Sequence, residues 1–369
     1  MNDHTATPTK PVQRRGLAPA PSAECRPLPR DAIRRILLCR PNHRLGNLLF
    51  LTPALAEIEV CFPNATVDIL AQGQGVQALY SGFGNLGRVF ELPRNGFHKP
   101  SHYLRAIHTV WRERYDLVVD PEFRSRTARF IANRCRTRYR LGFSGSGDAT
   151  RLTHAFPPPG PTGHMARRAI YLLRRAVDEA HATTDEPYPE LDVRLSAAER
   201  AWGLRAVADT LGPQRAARGP VITLFANATG AKRFPSAWWQ QLTGRLRELD
   251  PHAAFLEILP PDAAARSELN LPSYQSDDLR RVAAVLGSTT LFVSADCGVL
   301  HLACASGTPW VIGLFSVSDE RLYGPVGNGR SAIAARNRAP ADIAASIQEV
   351  LDAGRARATP DRPRQFRGS

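Results

Sequence analysis

Three groups of polar residues sit where an apolar run of this chain gives way to a helical pattern, and each could do chemistry. The first is ILLCRPNHRLGNLLFLTPAL, where a strand runs into Asn42, His43, Arg44, Gly46 and Asn47 before a helix holding Thr52, Pro53 and Leu55. Gly46 lets the backbone bend and a ligand come close. Read without function, Asn47 simply caps an ordinary strand–helix loop. The second is VITLFANATGAKRFPSAWWQQL, with Asn227, Thr229, Gly230 and Lys232 before Phe234, Pro235 and a helix. A lysine there can neutralise charge developing on a departing phosphate, or merely be solvated. Lysine is scarce, with only Lys10, Lys99 and Lys232 in the chain, which singles Lys232 out. The third is LFVSADCGVLHLACASGTPWVIGLF, where a buried strand ends in Ser294, Ala295 and Asp296, and Cys297 and Gly298 open a helix bearing His301. A helix N-terminus offers free N–H groups and a positive dipole end, which suits phosphate, and Gly298 removes bulk where a pyrophosphate would approach. Asp296 can equally be a helix cap, and His301 a core histidine.

These groups need a frame to hold them. Apolar strand-sized runs alternate with amphipathic helical stretches, which argues for parallel sheets with helices on their faces. In the first half the pattern predicts strands over 33–39, 66–71, 88–92, 117–120 and 139–143, and helices over 48–61, 101–114, 126–134 and 165–180. The stretch 157–163, PPPGPTG, reads as a loop. The second half repeats the alternation, with strands over 221–225, 253–259, 291–294 and 310–315 and helices over 235–249, 278–286, 299–305 and 341–352. Two doubly wound α/β halves joined near 188–196 is the simplest architecture, giving two sheets that face each other across a cleft with a ligand on each side. Residues 1–30, with six prolines, read as a disordered tail, 31–190 and 191–353 as the two domains, and 354–369 as a loose basic tail.

Composition narrows the function classes. With 369 residues, 43% hydrophobic and 22% charged, the chain is built for a packed core and not for disorder. Its apolar stretches are too short to cross a bilayer and its first thirty residues hold no signal-like segment, so a cytoplasmic location is the expectation. The six cysteines form no CxxC pair or zinc-like spacing, so neither a disulfide framework nor a metal is expected. The net charge of +14, almost all arginine, suits an anionic partner or reflects arginine-rich composition alone. No binding module or aromatic stacking platform points to nucleic acid, and no nucleic-acid partner is expected.

Taken together and in this order, the motifs resemble glycosyltransferase family nine, the heptosyltransferase family of lipopolysaccharide core assembly. The resemblance runs from about 34 to 350. It is carried by Leu45-Gly46-Asn47 with Thr52-Pro53-Ala54-Leu55, by Lys232 before Phe234-Pro235, and by Asp296-Cys297-Gly298, His301-Leu302-Ala303 and Gly307-Thr308-Pro309. Ser318-Asp319 and Tyr323-Gly324-Pro325 continue it. It implies two Rossmann-like domains of the glycosyltransferase B type and a nucleotide-sugar donor, ADP-heptose first among them. It also implies an inverting transfer that needs no metal or further cofactor. Donor contacts carry over onto Thr229, Lys232, Asp296, Cys297, Gly298 and His301. The implied acceptor is a lipopolysaccharide-like or other anionic glycan, with contact at the inner face of the cytoplasmic membrane.

Two departures qualify the resemblance. Cys297 replaces the family's threonine, which removes a hydroxyl and keeps the backbone N–H. Asn47 stands where the family has the aspartate that looks like the catalytic base, and an amide has no useful basicity. His43 in the same loop is the first substitute, with Asp120 and Glu122 beyond the 117–120 strand as others. The alternative is a catalytically silent nucleotide-sugar-binding protein. On the acceptor side, the run RSRTARFIANRCRTRYR places Arg124, Arg126 and five further arginines with no acid between them, which suits an acidic acceptor or is a solvated basic face.

Overall fold

A computed structural model describes residues 26–358 except 74, 95–99, 146–148, 161–162, 179–186 and 263–266. The N-terminal half is built from β1 (Arg35–Cys39), α1 (Leu45–Leu49), α2 (Thr52–Cys61), β2 (Thr66–Gln72), α3 (Gln77–Tyr80), β3 (Leu86–Leu92), α4 (Pro100–Arg112), β4 (Arg114–Asp120), α5 (Arg126–Arg134), β5 (Arg136–Phe143), β6 (His154–Phe156) and α6 (Arg168–Val177). The C-terminal half continues with α7 (Ala197–Leu211), α8 (Pro213–Ala216), β7 (Val221–Phe225), α9 (Ser236–Leu249), β8 (Ala254–Leu259), β9 (Ser273–Gln275), α10 (Leu279–Gly287) and β10 (Leu291–Ala295). It ends with α11 (Gly298–Ala305), β11 (Trp310–Phe315), α12 (Glu320–Tyr323), β12 (Arg330–Ala334) and α13 (Pro340–Ala358).

Each half is one six-stranded parallel sheet, ordered β3-β2-β1-β4-β5-β6 and β12-β11-β10-β7-β8-β9. The two orders are the same when each half is numbered from its own first strand, the doubly wound 3-2-1-4-5-6 arrangement. Central strands are apolar on both faces because helices cover both. In β1, Ile36 and Leu38 join the cluster between the halves, whereas Leu37 and Cys39 point to the outer layer of α4 and α5. In β10, Phe292 faces the same shared cluster, and Leu291 and Val293 pack under α9 and α13. One apolar cluster therefore runs through both halves.

The helix expected over 48–61 is two helices, and proline is the reason. A continuous helix would press the Pro53 ring onto the Leu49 carbonyl and leave that carbonyl without its N–H donor. The chain instead ends α1, restarts with Pro53 in the first turn of α2, and gives the Leu49 carbonyl to Thr52 Oγ1 at 2.8 Å. Asn47 is not a cap but the third residue of α1; Arg44 occupies the cap position and Asn42 Oδ1 accepts its N–H. The short edge strands β6, β9 and β12 were not expected, since three to five residues with at most two buried positions carry little apolar signal. The expected tail is also shorter than 1–30. Leu28 is buried and its N–H bonds the Ala176 carbonyl at 2.7 Å. Its remainder, residues 1–25, lies outside the described residues. At the other end α13 continues beyond 354, to Ala358.

The chain crosses between the halves over 187–196 and is pinned on the way. Val193 N–H donates to the Ala305 carbonyl at 2.9 Å, and Asp192 N–H to Thr52 Oγ1 at 3.2 Å. Arg280 of α10 bonds the carbonyls of Val193, Arg194 and, in α3, Ala78, while Glu199 pairs with it. Among the described residues no helix is long and apolar enough to cross a membrane.

Candidate active site in the cleft

In a 3-2-1-4-5-6 sheet the connections diverge between the first and fourth strands, opening a crevice at their carboxyl ends. In the N-terminal half that crevice lies between β1 and β4, followed by Arg40–Asn47 and Asp120–Arg126. In the C-terminal half it lies between β7 and β10, followed by Asn227–Lys232 and Asp296–Gly298. Topology alone brings the three sequence motifs to two facing crevices.

In the C-terminal crevice Lys232 Nζ is ion-paired with Asp296 Oδ2. Asp296 is 7% exposed and Lys232 36%, so the lysine is fixed by a buried carboxylate and still reaches solvent. Asp296 is thus no helix cap: Cys297 holds that position in extended backbone and makes no side-chain cap bond. The first N–H groups of α11 meet no oxygen acceptor, only the weakly accepting Cys297 thiol beside the Val299 and Leu300 N–H groups, an arrangement that an anion can take over. Thr229 precedes the turn that carries Lys232 without a side-chain capping bond, and Gly230 there has φ of 63°, a left-handed conformation that favours glycine. Asn227 Nδ2 is buried beside this loop without a hydrogen-bond partner. Burial raises the Cys297 thiol pKa, so it stays protonated at neutral pH.

Gly46 and Gly298 do something other than admit a ligand. A Cβ on Gly46 would lie 2.6 Å from His301 Cδ2, and one on Gly298 would lie 2.7 Å from Leu45 Cβ. The two glycines let α1 and α11 cross in contact, one helix from each half. His301 fills the crossing, edge-on to Phe50 at 4.6 Å between centroids. Phe50 also meets His164 edge-on at 5.4 Å. His164 joins the halves: Nε2–H donates to the Gly324 carbonyl at 2.9 Å, while Nδ1 accepts the Ala166 N–H at 3.2 Å. Burial pushes both histidines down to about 4, so both are neutral at pH 7. His301 is therefore a core histidine and a cleft residue at once.

The N-terminal crevice corrects the candidate bases. Asp120 is buried with both oxygens occupied: Oδ2 accepts from Arg129 Nε at 2.6 Å and Oδ1 from the Glu122 N–H at 3.2 Å. Asp120 is a structural ion-pair partner. His43 is exposed and lines a cavity of about 250 Å³ with Val76, Phe225, Pro260, Ser276 and Asp277, at the carboxyl ends of β7 and β8. Asn47 is half-buried next to Gly46, with no hydrogen bond to its amide from any described residue. Glu122 Oε1 lies 3.0 Å from Arg40 Nε. Arg168, Arg40 and Arg124 share the Glu122 and Tyr323 neighbourhood, and burial lowers the Arg168 pKa.

The arginine run is mostly structural. Arg129 holds Asp120, Arg140 bonds the Ala132 and Cys135 carbonyls, and Arg134 and Arg138 lie over Phe130 and Tyr139. Arg124 and Arg126 are exposed, and of the two Arg124 shares the cleft group. Arg40, His164 and Arg168 were missed by sequence reasoning. The one signal for Arg40 is a charged residue directly after a fully apolar strand.

The family profile for glycosyltransferase family 9 (heptosyltransferase) matches residues 103–349. Nothing among curated proteins matches the chain. A family 9 glycosyl transferase from Veillonella parvula is similar in structure, with a TM-score of 0.67 and 16% identity over 93% of this chain and 94% of that one. E. coli heptosyltransferase WaaC, solved with ADP, gives 0.66 and 16% identity over 87% of this chain and 100% of that one. E. coli ADP-heptose lps heptosyltransferase II gives 0.65 and 16% over 88% and 99%. At such identity these likenesses speak for the fold.

Proposed function

Since the chain belongs to glycosyltransferase family 9, the heptosyltransferase family, we propose that it moves a sugar from a nucleoside-diphosphate donor to a glycan acceptor across the cleft. Heptose from ADP-heptose is the donor we expect, and an anionic, lipopolysaccharide-core-like glycan the acceptor. The observation that carries the donor reading is the Lys232–Asp296 pair beside the start of α11, which no side-chain oxygen caps. A diphosphate there would meet one fixed cation, the α11 N–H groups and the unpartnered Asn227 Nδ2. Thr229, Cys297 and Gly298 would line it through the backbone. The cavity beside β7 and β8, with Pro260, Ser276 and Asp277, has mostly apolar walls with a few polar groups, as a nucleoside pocket would.

The chemistry is a single displacement with inversion at the anomeric carbon. Charge developing on the leaving diphosphate is met by Lys232 and the helix dipole, so its departure needs no metal. The acceptor would lie in the β1/β4 crevice, with Arg124 and Arg168 toward its anionic groups. Work at the cytoplasmic face of a membrane fits such an acceptor. A second reading, nucleotide-sugar binding without transfer, is favoured by Asn47. The test is the melting temperature with ADP, UDP, GDP or CMP, since a ligand of the native state raises it. A shift confined to ADP supports the proposal, another nucleotide changes the donor, and no shift from any refutes it.

A further inference from the structure

Transfer to a hydroxyl needs a group that takes its proton, and the amide of Asn47 cannot. We propose that Glu122 is the general base of this chain, with Arg40 as its positioning residue; the inference rests on the transferase reading above.

The carboxylates and imidazoles near the β1/β4 crevice differ in what they have free. Asp120 has both oxygens bonded and is 1% exposed. His43 is exposed and lines the cavity between the end of β2 and the ends of β7 and β8. His164 is buried with both nitrogens bonded. Glu122 alone combines a held and an open oxygen. Its Oε1 is buried and ion-paired with Arg40 Nε at 3.0 Å, in a geometry that makes no hydrogen bond and leaves both atoms short of one, whereas Oε2 reaches solvent and accepts no hydrogen bond from a described residue. The Glu122 backbone is fixed too, through its N–H to Asp120.

Arg40 is suited to holding it. The side chain is 1% exposed, rooted directly after β1, and its Nη2 is buried with no hydrogen-bond partner. A buried guanidinium with a spare N–H calls for an acceptor atom, and a substrate oxygen beside Glu122 would supply one. On the other side Arg168 stands within reach of both Glu122 and Tyr323. Tyr323 belongs to α12 of the C-terminal half, and Glu122 itself follows the carboxyl end of β4, where the strand order opens the N-terminal crevice. In the step itself the acceptor O–H proton passes to Glu122 Oε2 as its oxygen bonds the anomeric carbon. The bond from that carbon to the diphosphate oxygen breaks, and its electron pair leaves with the diphosphate toward Lys232.

The experiment follows ADP release from ADP-heptose with deacylated lipopolysaccharide inner core as acceptor. Glu122→Gln keeps the shape and the Arg40 contact and removes the basicity. Turnover is expected to fall ~100-fold or more, the usual range for a lost general base, with donor KM and the ADP melting shift unchanged. The acid limb of the pH–rate profile should vanish with it, which a packing defect would not do. Adding Asn47→Asp to Glu122→Gln should recover a large part by returning a carboxylate to the cleft. Glu122→Gln within threefold of wild type, or an unchanged acid limb, would overturn the assignment. So would a wild type that binds ADP without turnover while Asn47→Asp turns over. If another nucleotide stabilises the protein, the donor reading falls separately and the same comparison is run with that nucleotide's sugar.

Discussion

Two helical glycines should respond in opposite directions to the same substitution, because one lies at the crossing of the halves and the other does not. In Gly46→Ala the new Cβ would stand 2.6 Å from His301 Cδ2. Carbon atoms in contact sit ~3.5–4.0 Å apart, so ring and helix must separate by about 1 Å. His301 cannot yield easily, being 4% exposed and packed against Phe50. Overpacking of this kind costs about 1–3 kcal/mol, and the better helix propensity of alanine returns up to ~1 kcal/mol. A net loss of about 1–2 kcal/mol is expected for Gly46→Ala. Gly244 in α9 has nothing within 4 Å of its would-be Cβ, so Gly244→Ala should gain about 0.5–1 kcal/mol. At ~1–2 °C per kcal/mol for a cooperative unit of this size the melting midpoints of the two variants should differ by about 2–5 °C, in opposite directions from wild type. Gly46→Ala should also weaken ADP binding, since α11 carries both His301 and the proposed diphosphate donors. If Gly46→Ala melts at or above Gly244→Ala, α1 and α11 do not meet in solution and the contact between the halves is wrong.

Other outcomes follow from the buried charges. His164 and His301 are held down to about 4, below an ordinary imidazole near 6.5, so between those values the unfolded chain binds protons that the folded one excludes. Stability should be complete above pH 6.5 and fall toward pH 4, by roughly 3 kcal/mol for His164 alone; the melting midpoint should drop further over that range in wild type than in His164→Gln, and parallel curves refute it. Asp120→Asn removes the partner of buried Arg129 and should cost about 3–5 kcal/mol in a denaturant melt, where a change under ~1 kcal/mol would contradict the pairing. Lys232→Ala leaves the Asp296 carboxylate uncompensated beside the phosphate site, and calorimetry should show ADP binding weakened ~10- to 100-fold. Equal affinity would remove Lys232 from the site.

Much of this fold follows from short-range pattern. The apolar runs of β1, β7, β10 and β11 sit at or within a residue or two of where alternation puts them, because strands covered on both faces must be apolar throughout. The position of the motifs at strand–helix turns was equally readable, and the doubly wound order then brings such turns to a crevice without further information. Other features depend on partners far away in the chain. Gly46 and Gly298 look like ligand-admitting glycines in sequence, and only the packing of α1 on α11 shows what fills the space beside them. Asp296 has the position of a helix cap, but a carboxylate goes to the strongest available partner, and Lys232 is 64 residues away. The arginine run could not be sorted from its composition, since pairing with Asp120, bonds to carbonyls and contact with the cleft group are each decided by neighbours from other elements. Residue type and local period determine where strands, helices and polar turns lie; which polar group is engaged and which remains open is decided by contacts between segments that meet only in the folded molecule.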